Sequence, residues 1–417
     1  MAQESEAGAP PRPAAVWLDR RTPPHVLTLV VMTGVSALNM NMILPSLPGI
    51  AADFRADYGL VALSVSAYLG LTAVLQLLIG PLSDRYGRRP VMLGCFAAFL
   101  AATLGCALAP TIEVFLAFRL AQAAVASAFA LSRAIVRDMV GPAAAASLIG
   151  YVTMGMSLAP MIGPMIGGIL DEAFGWRSVF VFTLVLGALA AALIWADQGE
   201  TNAAPSASFA AQFRAYPELF ASQRFWGYSL TAALASGAFF AFLGGGPLVA
   251  SEILGMSPAS VGFHFGFIAL GYLVGNFLSG RFTARAGLNP MMLAGGLVAT
   301  AGMALALGLF AAGLQTPLAF FGAILFVGLG NGLLLPSANA GIVSVRPRLA
   351  GSASGLGGAL MIGGGAALAV LAGALLGPAT GAWPLLWLMF ACSAASVVST
   401  LWVIRVARLR ARQGIGP

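Results

Sequence analysis

Twelve long apolar runs, separated by short polar segments, are the feature of this sequence that most restricts its fold. A helix of about 20 apolar residues crosses a bilayer core of roughly 30 Å. Only 8% of the chain is charged and 59% is hydrophobic, so a water-soluble fold could not bury this surface. The sequence therefore predicts an all-α membrane protein. Its twelve transmembrane helices, numbered here as spans 1 to 12, cover approximately residues 26–48, 60–81, 90–109, 113–135, 146–169, 177–196, 225–249, 259–280, 290–312, 317–340, 351–376 and 383–404.

The arginines predict the orientation of these helices. The chain has no lysine, and all its arginines except Arg55, Arg119 and Arg177 fall on one side of the membrane if the spans alternate. Short loops rich in basic residues remain in the cytoplasm. Both termini are therefore expected in the cytoplasm of a bacterial-type cell, with the spans in its inner membrane. The basic pI is then a consequence of topology and does not indicate nucleic-acid binding.

A polar stretch between spans 6 and 7 divides the chain into two halves. GPLSDRYGRRPVML from Gly80 aligns with GRFTARAGLNPMML from Gly280 at an offset of 200 residues, and each copy joins the second and third spans of its half. Transporters built from such parallel repeats bind substrate between the halves, near the bilayer midplane. The predicted regions are an N-terminal tail over 1–25, a six-helix bundle over 26–196, a cytoplasmic linker over 197–224, a second six-helix bundle over 225–404 and a basic tail over 405–417.

The first copy of this loop, GPLSDRYGRR, resembles the signature loop of the major facilitator superfamily. The residues that carry the pattern are Gly80, Asp84, Arg85, Gly87, Arg88 and Arg89. Glycine allows a tight turn between two helices, and Asp84 can accept hydrogen bonds from a neighbouring helix N-terminus. In that family the loop is a cytoplasmic latch that holds the outward-facing state. Ala284 replaces the acid in the second copy, so only the first copy is expected to latch.

A second stretch, GYVTMGMSLAPMIGPMIGG at residues 150–168 of span 5, resembles the glycine-proline motif of the family's drug:proton antiporters. Glycine allows close helix approach, and proline frees backbone carbonyls and bends the helix. From the residues alone this stretch is a packing interface, whereas the resemblance favours export over uptake. The residues concerned are Pro160, Gly163, Pro164, Gly167 and Gly168.

Arg119 and Gln122 in span 4 resemble the antiporters' Arg-x-x-Gln-Gly motif, with Ala123 in place of the glycine. Arginine remains charged in a protein, so a membrane-embedded arginine must face a water-filled cavity or a polar partner. Gln122 follows on the same helix face and could orient it. The alternative is a structural arginine that extends toward the membrane surface.

Over nearly its whole length the chain resembles the Bcr/CflA-type exporters of bicyclomycin and chloramphenicol/florfenicol resistance. Span 1 of those proteins typically ends in a sequence like Asp-x-Tyr-Leu-Pro-x-x-Pro, and the resemblance implies that this acid carries protons and anchors cations near the arginine of span 4. In LNMNMILPSLP, residues 38–48, Asn41 stands in place of the acid. An amide cannot titrate.

Asn41 and Arg119 are expected at similar depth, each roughly 6 to 8 Å outward of its helix midpoint. We predict that the Asn41 side-chain carbonyl accepts a hydrogen bond from Arg119, that the two prolines end span 1, and that Asn39 has no role because it is turned about 200° away. The site would then be positively charged. It would recognise cationic drugs weakly and tolerate neutral, dipolar or anionic ones.

No Asp or Glu is expected at the centre of a span, so proton coupling through a buried carboxylate is not evident. His264 in span 8 is the one intramembrane group that titrates near neutral pH, although it can equally serve as a hydrogen-bonding residue at the helix entrance. Glu113, two turns from Arg119, is a weaker candidate. Asn331 in span 10 is favoured for the cavity because glycines flank it. The remaining amides in spans are interpreted as links between helices: Gln76, Asn276 and Asn339.

These features predict a secondary active exporter that moves hydrophobic small molecules of the drug type by alternating access, driven by the proton gradient and without a cofactor or metal. The alternative is an uncoupled or differently coupled metabolite exporter or uniporter, because Asn41 cannot titrate. An enzyme or receptor is disfavoured, since the sequence contains no HExxH, GxSxG or phosphate-binding GxxxxGK[ST] motif. A monomer in the lipid bilayer is sufficient for this function.

Overall fold

The computed structural model describes residues 15–140, 159–202, 216–346, 349–377 and 380–412, together with Leu148 and Val152. Within these residues eleven helices are long and apolar enough to cross a membrane. Span 5, predicted over 146–169, is described as a continuous helix from Ala159 only. The predicted all-α membrane fold is confirmed.

Several helices extend beyond their apolar runs. A helix ends where its terminal backbone groups are capped, and this point need not coincide with the first polar residue. Span 1 is Val26–Asn41, continued by a 3-10 turn over Leu44–Ser46 and a helix over Leu47–Phe54. Span 4 is Ile112–Ala121, a 3-10 segment over Gln122–Ala126, and Ser127–Met139. The other spans are Tyr58–Tyr86, Arg88–Leu108, Ala159–Phe174, Arg177–Asp197, Gln223–Leu248 with a π-helical end over Val249–Ile253, Pro258–Ala286, Leu288–Ala311, Pro317–Ser344, Ala350–Leu375 and Trp383–Arg412.

The prediction that prolines end span 1 is wrong. Pro45 and Pro48 occupy first-turn positions of the two short helical segments that prolong the span to Phe54. Proline is tolerated there because the amide it lacks would have no partner within the helix. The left-handed backbone of Arg55, with φ of 51°, ends the span instead.

The repeat seen in the sequence is also present in the backbone. Span 2, Tyr58–Tyr86, and span 8, Pro258–Ala286, each contain 29 residues. Each span is followed by a glycine with positive φ, 97° at Gly87 and 88° at Gly287. Only glycine adopts this conformation without strain. The same turn therefore leads into the next helix of each half.

Packing of the buried residues shows how the halves meet. One apolar cluster contains residues of both halves, such as Leu44 and Ile50 with Phe242 and Phe265. Each half also has an apolar cluster of its own. The cluster of the N-terminal half contains Phe96, and that of the C-terminal half contains Met292. The shared cluster lies at the end opposite to the Gly87 turn. We call this the closed end, and the end with Gly87 and Gly287 the loop end.

Backbone contacts between spans 5 and 8 seal the closed end. A Cβ atom at Gly168 would overlap the carbonyl oxygen of Pro258, and one at Gly262 would overlap the carbonyl oxygen of Pro164. Two helices can approach this closely only where both present glycine. At the same end the Glu172 carboxylate accepts a hydrogen bond from the Ala259 amide at 3.2 Å, so a side chain of span 5 caps span 8.

Candidate functional site

A cavity of about 730 Å³ separates the two halves at the loop end. Its volume is in the range of pockets that hold drug-sized molecules. Both halves contribute to its wall, which includes residues of spans 1, 2, 3, 4, 7, 10 and 11 and Val152. The halves touch at the closed end, and the lining residues Asp84, Arg88 and Asp138 place the cavity toward the loop end.

Span 2 forms one wall of the cavity. Leu69, Thr72, Gln76, Gly80 and Asp84 recur at intervals of three or four residues and so share one helix face. The face changes from apolar to charged as it approaches the loop end. Apolar lining elsewhere comes from Met40, Phe129, Phe240, Met361 and Ile362.

The opposite wall belongs to the C-terminal half and is neutral in the described residues. It contains the exposed side chain of Asn339 from span 10, together with Ser354, Gly355 and Gly358 from span 11. The glycines leave room beside the polar groups. This wall therefore offers amide and hydroxyl groups next to apolar surface.

Charged groups line the cavity mainly near the loop end. Arg88 forms ion pairs with Asp84 and with Asp138, the latter at 3.0 Å. Arg133 also lines the cavity, from span 4. Its Nε donates to the carbonyl oxygen of Phe129 at 2.9 Å, four residues back along the helix.

Arg119 lies outside this cavity and is 1% exposed. Its guanidinium donates to the side-chain oxygens of Asn39 at 3.3 Å and Gln122 at 2.7 Å, and to the backbone carbonyls of Asn39 and Ser64, each at 3.2 Å. The Tyr68 ring lies 4.5 Å from its Cζ. The sequence left two environments open for Arg119, a water-filled cavity or a polar partner. The structure places it against polar partners and outside the cavity wall.

The predicted hydrogen bond between Asn41 and Arg119 is wrong, because Arg119 binds Asn39. The Asn41 side chain donates instead to the Ala37 carbonyl at 2.7 Å, and it lies beside Gly163 of span 5. Asn39 and Asn41 do point in different directions, as two residues along a helix require. The sequence does not show which of the two asparagines faces span 4, because packing sets the rotation of span 1 about its axis.

The other residues predicted for the cavity also lie outside its wall. Asn331 is 5% exposed within the core of the C-terminal half. His264 hydrogen-bonds the Ser260 carbonyl at 2.7 Å and contacts Phe267 and Phe321, which corresponds to the alternative of a hydrogen-bonding histidine at the helix entrance. Gln122 donates to Thr103 at 2.8 Å, so it links span 4 to span 3.

In the signature loop, Gly80, Asp84 and Arg88 line the cavity. The acid that caps a helix N-terminus here is Glu200 and not Asp84. Glu200 accepts hydrogen bonds from the amides of Arg88 at 2.8 Å and Arg89 at 3.1 Å, the first residues of span 3. Arg89 also donates to the Trp195 carbonyl at 2.9 Å, whereas Arg85 is exposed.

In the glycine-proline stretch, Gly163 and Gly167 face span 1, and Gly168 faces span 8. Pro164 lies within the helix, and its carbonyl contacts Gly262. Pro160 belongs to the first turn of the described helix. The part of the stretch from residue 159 to 168 thus packs against both halves at the closed end, whereas residues 150–158 lie, apart from Val152, outside the described residues.

Sequence reasoning missed three residues of this region. Arg133 was counted among the arginines that set topology, and Asn339 among the links between helices, yet both line the cavity. Arg133 follows another lining residue, Phe129, by four positions, and residues spaced in this way share one face of a helix. The sequence thus contains a signal for Arg133. Glu200 lies in the linker, and no local pattern indicates that it folds back onto span 3.

Residues 29–369 match the model of the Major Facilitator Superfamily. The chain belongs to the major facilitator superfamily. It is 37% identical over 267 residues to the uncharacterized MFS-type transporter YdgK of Bacillus subtilis, a match that covers 61% of this chain and 66% of that protein. It is 31% identical over 401 residues to the chloramphenicol resistance protein of Pseudomonas aeruginosa, covering 94% and 92%.

The fold is similar to that of a solved structure, a bacterial homolog to the human lysosomal transporter Spinster in an inward-facing and occupied conformation. The TM-score is 0.72 at 20% identity, over 92% of this chain and 96% of that one. This likeness supports the predicted fold of two six-helix bundles. Membership of a transporter superfamily confirms the prediction of a transporter and not an enzyme.

Proposed function

We propose that this superfamily member exports hydrophobic small molecules of the drug or antibiotic type across the inner membrane by alternating access. The observation that carries the proposal is the cavity of about 730 Å³ between two halves that touch at the closed end. Its wall combines apolar side chains with a few polar groups, as binding sites for amphipathic molecules do. The resemblance to a chloramphenicol resistance protein over nearly the whole chain supports this substrate class.

The loop end is the cytoplasmic end in this proposal. Arg85, Arg88 and Arg89 lie there, and short basic loops remain in the cytoplasm. Both termini then lie in the cytoplasm, and the cavity is open toward it. A substrate would enter from the cytoplasm or the inner leaflet and leave after the closed end has opened.

Alternating access needs the closed end to separate and the loop end to close. Separation would break the backbone contacts of Gly168 and Gly262 and the hydrogen bond from Ala259 to Glu172. Closure would bring the loop of Asp84 toward the start of span 11, where Ser354 lines the facing wall. In this structure the Asp84 carboxylate pairs with Arg88, a residue of its own loop. We therefore take the proposed latch to be open.

The proton gradient is the proposed driving force, on the strength of the resemblance to drug:proton antiporters. A second candidate is uncoupled or differently coupled export of a metabolite. It is favoured by the surroundings of Arg119, where the hydrogen-bond acceptors are the neutral groups of Asn39, Gln122 and Ser64. These amide and carbonyl groups do not titrate, so they cannot exchange a proton for a substrate.

Transport into inverted membrane vesicles tests both candidates. Vesicles that contain the protein, and vesicles without it, are given a phenicol antibiotic, a cationic dye or an anionic aromatic compound, with and without an imposed proton gradient. Protein-dependent and gradient-dependent uptake of at least one compound is expected. Uptake that ignores the gradient would refute proton coupling, and no uptake of any compound would refute drug export.

A monomer is sufficient for this cycle because both walls of the cavity come from one chain. Reconstitution at a protein-to-lipid ratio of less than one chain per liposome tests this statement. Transport per chain should be the same at low and at high protein density.

A further inference from the structure

The segment before span 1 presents three apolar side chains on the outside of the protein. Val16, Trp17 and Leu18 are 53%, 43% and 54% exposed. The backbone of Leu18 is left-handed, with φ of 60°, a conformation that a bulky side chain rarely adopts. Its amide donates to the buried Asp197 carboxylate at 2.7 Å, which holds this backbone in place. The fold thus maintains a strained turn whose apolar groups have no partner within the described protein surface.

This segment is firmly attached to the loop end of span 6. It consists of two successive turns, in which the Asp19 amide donates to the Val16 carbonyl at 3.2 Å and the Thr22 amide to the Asp19 carbonyl at 3.0 Å. The Gly199 amide, just after span 6, donates to the Thr22 carbonyl at 3.0 Å. The three apolar side chains therefore have a fixed position beside span 6.

Span 6 has one side that faces lipid. Val181, Val185, Leu189 and Trp195 are between 53% and 63% exposed, and their spacing places them within one side of the helix. The described wall of the cavity contains no residue of span 6, so this side is turned to the bilayer. Trp195 lies on it at the loop end, and tryptophan is enriched where membrane and water meet.

Two guanidinium groups meet at Trp195. The Arg20 Cζ atom lies 5.6 Å from the centre of the indole ring, and Arg89 donates to the Trp195 carbonyl at 2.9 Å. Within the part of the chain that the structure describes, neither arginine forms an ion pair with a carboxylate. The neighbouring acids accept hydrogen bonds from backbone amides instead: Asp19, Asp197 and Glu200. Positive charge is therefore available on the lipid side of the loop end.

We propose that these groups bind an anionic phospholipid of the leaflet at the loop end. The lipid phosphate binds Arg20 and Arg89, and an acyl chain lies along the outward side of span 6. The turn of Val16, Trp17 and Leu18 enters the headgroup region beside it. This site goes beyond the proposed function, whose orientation makes this the cytoplasmic leaflet, where anionic lipids give the surface a negative potential.

Two arginines are sufficient to give this site a preference for anionic lipid. Each basic residue near an anionic membrane surface contributes about fivefold in affinity, so the pair should contribute at least roughly tenfold. The planar guanidinium can donate two hydrogen bonds in parallel to a phosphate, and the indole of Trp195 restricts the position of Arg20. A zwitterionic lipid carries the same phosphate together with an ammonium group, which both arginines repel.

Native mass spectrometry of the purified full-length protein in detergent tests the site without any transport step. The probes are palmitoyl-oleoyl phosphatidylglycerol, the phosphatidylcholine with the same acyl chains, and glycerol 3-phosphate. We expect the first phosphatidylglycerol to bind at least roughly tenfold tighter than phosphatidylcholine, and an equal concentration of glycerol 3-phosphate not to displace it. Equal binding of the two lipids would overturn the proposal. Displacement by glycerol 3-phosphate would assign the arginines to a free phosphate ester and overturn it too.

A double variant with a matched control assigns the preference to the site. Arg20→Gln combined with Arg89→Gln should weaken phosphatidylglycerol binding by at least about tenfold and leave phosphatidylcholine within about threefold. Arg281→Gln combined with Arg285→Gln removes two exposed arginines at the loop end of the other half and should leave both lipids within about threefold. An unchanged affinity in the first pair, or an equal loss in both pairs, contradicts the proposal.

Two single variants keep the test decisive if the double variant fails to fold. Arg20 is exposed, so Arg20→Glu should fold and weaken phosphatidylglycerol binding by at least about tenfold. Leu18→Gly relieves the left-handed strain, so it should leave thermal stability in detergent equal or higher, yet weaken lipid binding by about threefold or more. Unchanged lipid binding in either variant would refute the role given to that residue in the site.

Failure of this inference and failure of the proposed function are distinguishable. A protein that exports a drug but binds both lipids equally refutes only the inference. One that prefers phosphatidylglycerol through Arg20 and Arg89 but transports nothing refutes only the function.

Discussion

Arg119 donates to both oxygens of Asn39, to the side chain at 3.3 Å and to the backbone at 3.2 Å. The Asn39 amide group in turn donates to the Tyr68 hydroxyl at 3.2 Å. A guanidinium charge that is 1% exposed is thus held by dipoles and an aromatic ring, and among the described residues no carboxylate forms an ion pair with it. Its position makes Asn39, and not Asn41, the residue of span 1 at which a negative charge can be accommodated.

Asn39→Asp and Asn41→Asp should therefore differ in stability. The carboxylate at residue 39 would pair with Arg119, whereas the one at residue 41 would be buried beside Gly163, with no cation next to it in the part of the chain that the structure describes. We expect Asn39→Asp to be more stable than Asn41→Asp by roughly 2 to 4 kcal/mol. Thermal unfolding of the detergent-solubilised proteins measures the difference.

Asn39→Ala serves as the control for this comparison, because it removes the acceptor without adding a charge. It should lower the free energy of unfolding by about 1 to 3 kcal/mol. If Asn41→Asp proved as stable as the wild type while Asn39→Asp unfolded, the assignment of the partner to Asn39 would be wrong.

Glycine at residue 168 should control the opening of the closed end. Gly168→Ala places a methyl group on the Pro258 carbonyl oxygen, and backbone cannot move aside as a flexible side chain can. The cost of roughly 1 to 3 kcal/mol applies to the closed state, which corresponds to a shift of about 5-fold to 150-fold toward separation. Distances between spin labels on Phe174 and Glu252, at the ends of spans 5 and 7, should gain a longer component.

Gly266→Ala is a matched control for this experiment. It lies in span 8, one turn beyond Gly262, and a Cβ there meets no atom within 4 Å. It should leave the distances unchanged and stabilise the helix by up to about 1 kcal/mol. A Gly168→Ala protein with the same distances as the wild type would show that the glycine contact does not hold the closed end together.

The sequence predicted the helices well and the site poorly, for one physical reason. Apolar runs report contact with lipid, so they locate spans such as Tyr58–Tyr86 to within a few residues. They do not report rotation about the helix axis, which decided between Asn39 and Asn41. Nor do they distinguish an arginine that sets topology from one that lines a cavity, as Arg133 does. Such differences depend on packing between distant parts of the chain.

Glu200 should stabilise the start of span 3. Its carboxylate accepts the amides of Arg88 and Arg89 and approaches Gly87, where a Cβ would lie 2.5 Å from Oε2. Glu200→Ala should lower the free energy of unfolding by about 1 to 2 kcal/mol. Hydrogen exchange of a peptide that covers residues 88 and 89 should become faster, which locates the effect.

Glu252→Ala is the control, because this exposed acid lies at the closed end. It should change neither the stability nor the exchange of that peptide. Unchanged exchange at residues 88 and 89 in Glu200→Ala would mean that the linker does not cap span 3.

Asp197 should hold the segment before span 1 in place. It is fully buried at the end of span 6 and accepts hydrogen bonds from the Leu18 amide at 2.7 Å, the His25 amide at 2.8 Å and the Thr28 hydroxyl at 2.6 Å. Asp197→Ala leaves these donors without a partner and should raise the rate of trypsin cleavage after Arg20 or Arg21 by at least about tenfold. Mass spectrometry of the fragments identifies the cleaved bond. Asp53→Ala, which removes the 2.6 Å ion pair with Arg177 at the closed end, should leave the rate unchanged, and equal cleavage of the Asp197→Ala and wild-type proteins would refute the role given to Asp197.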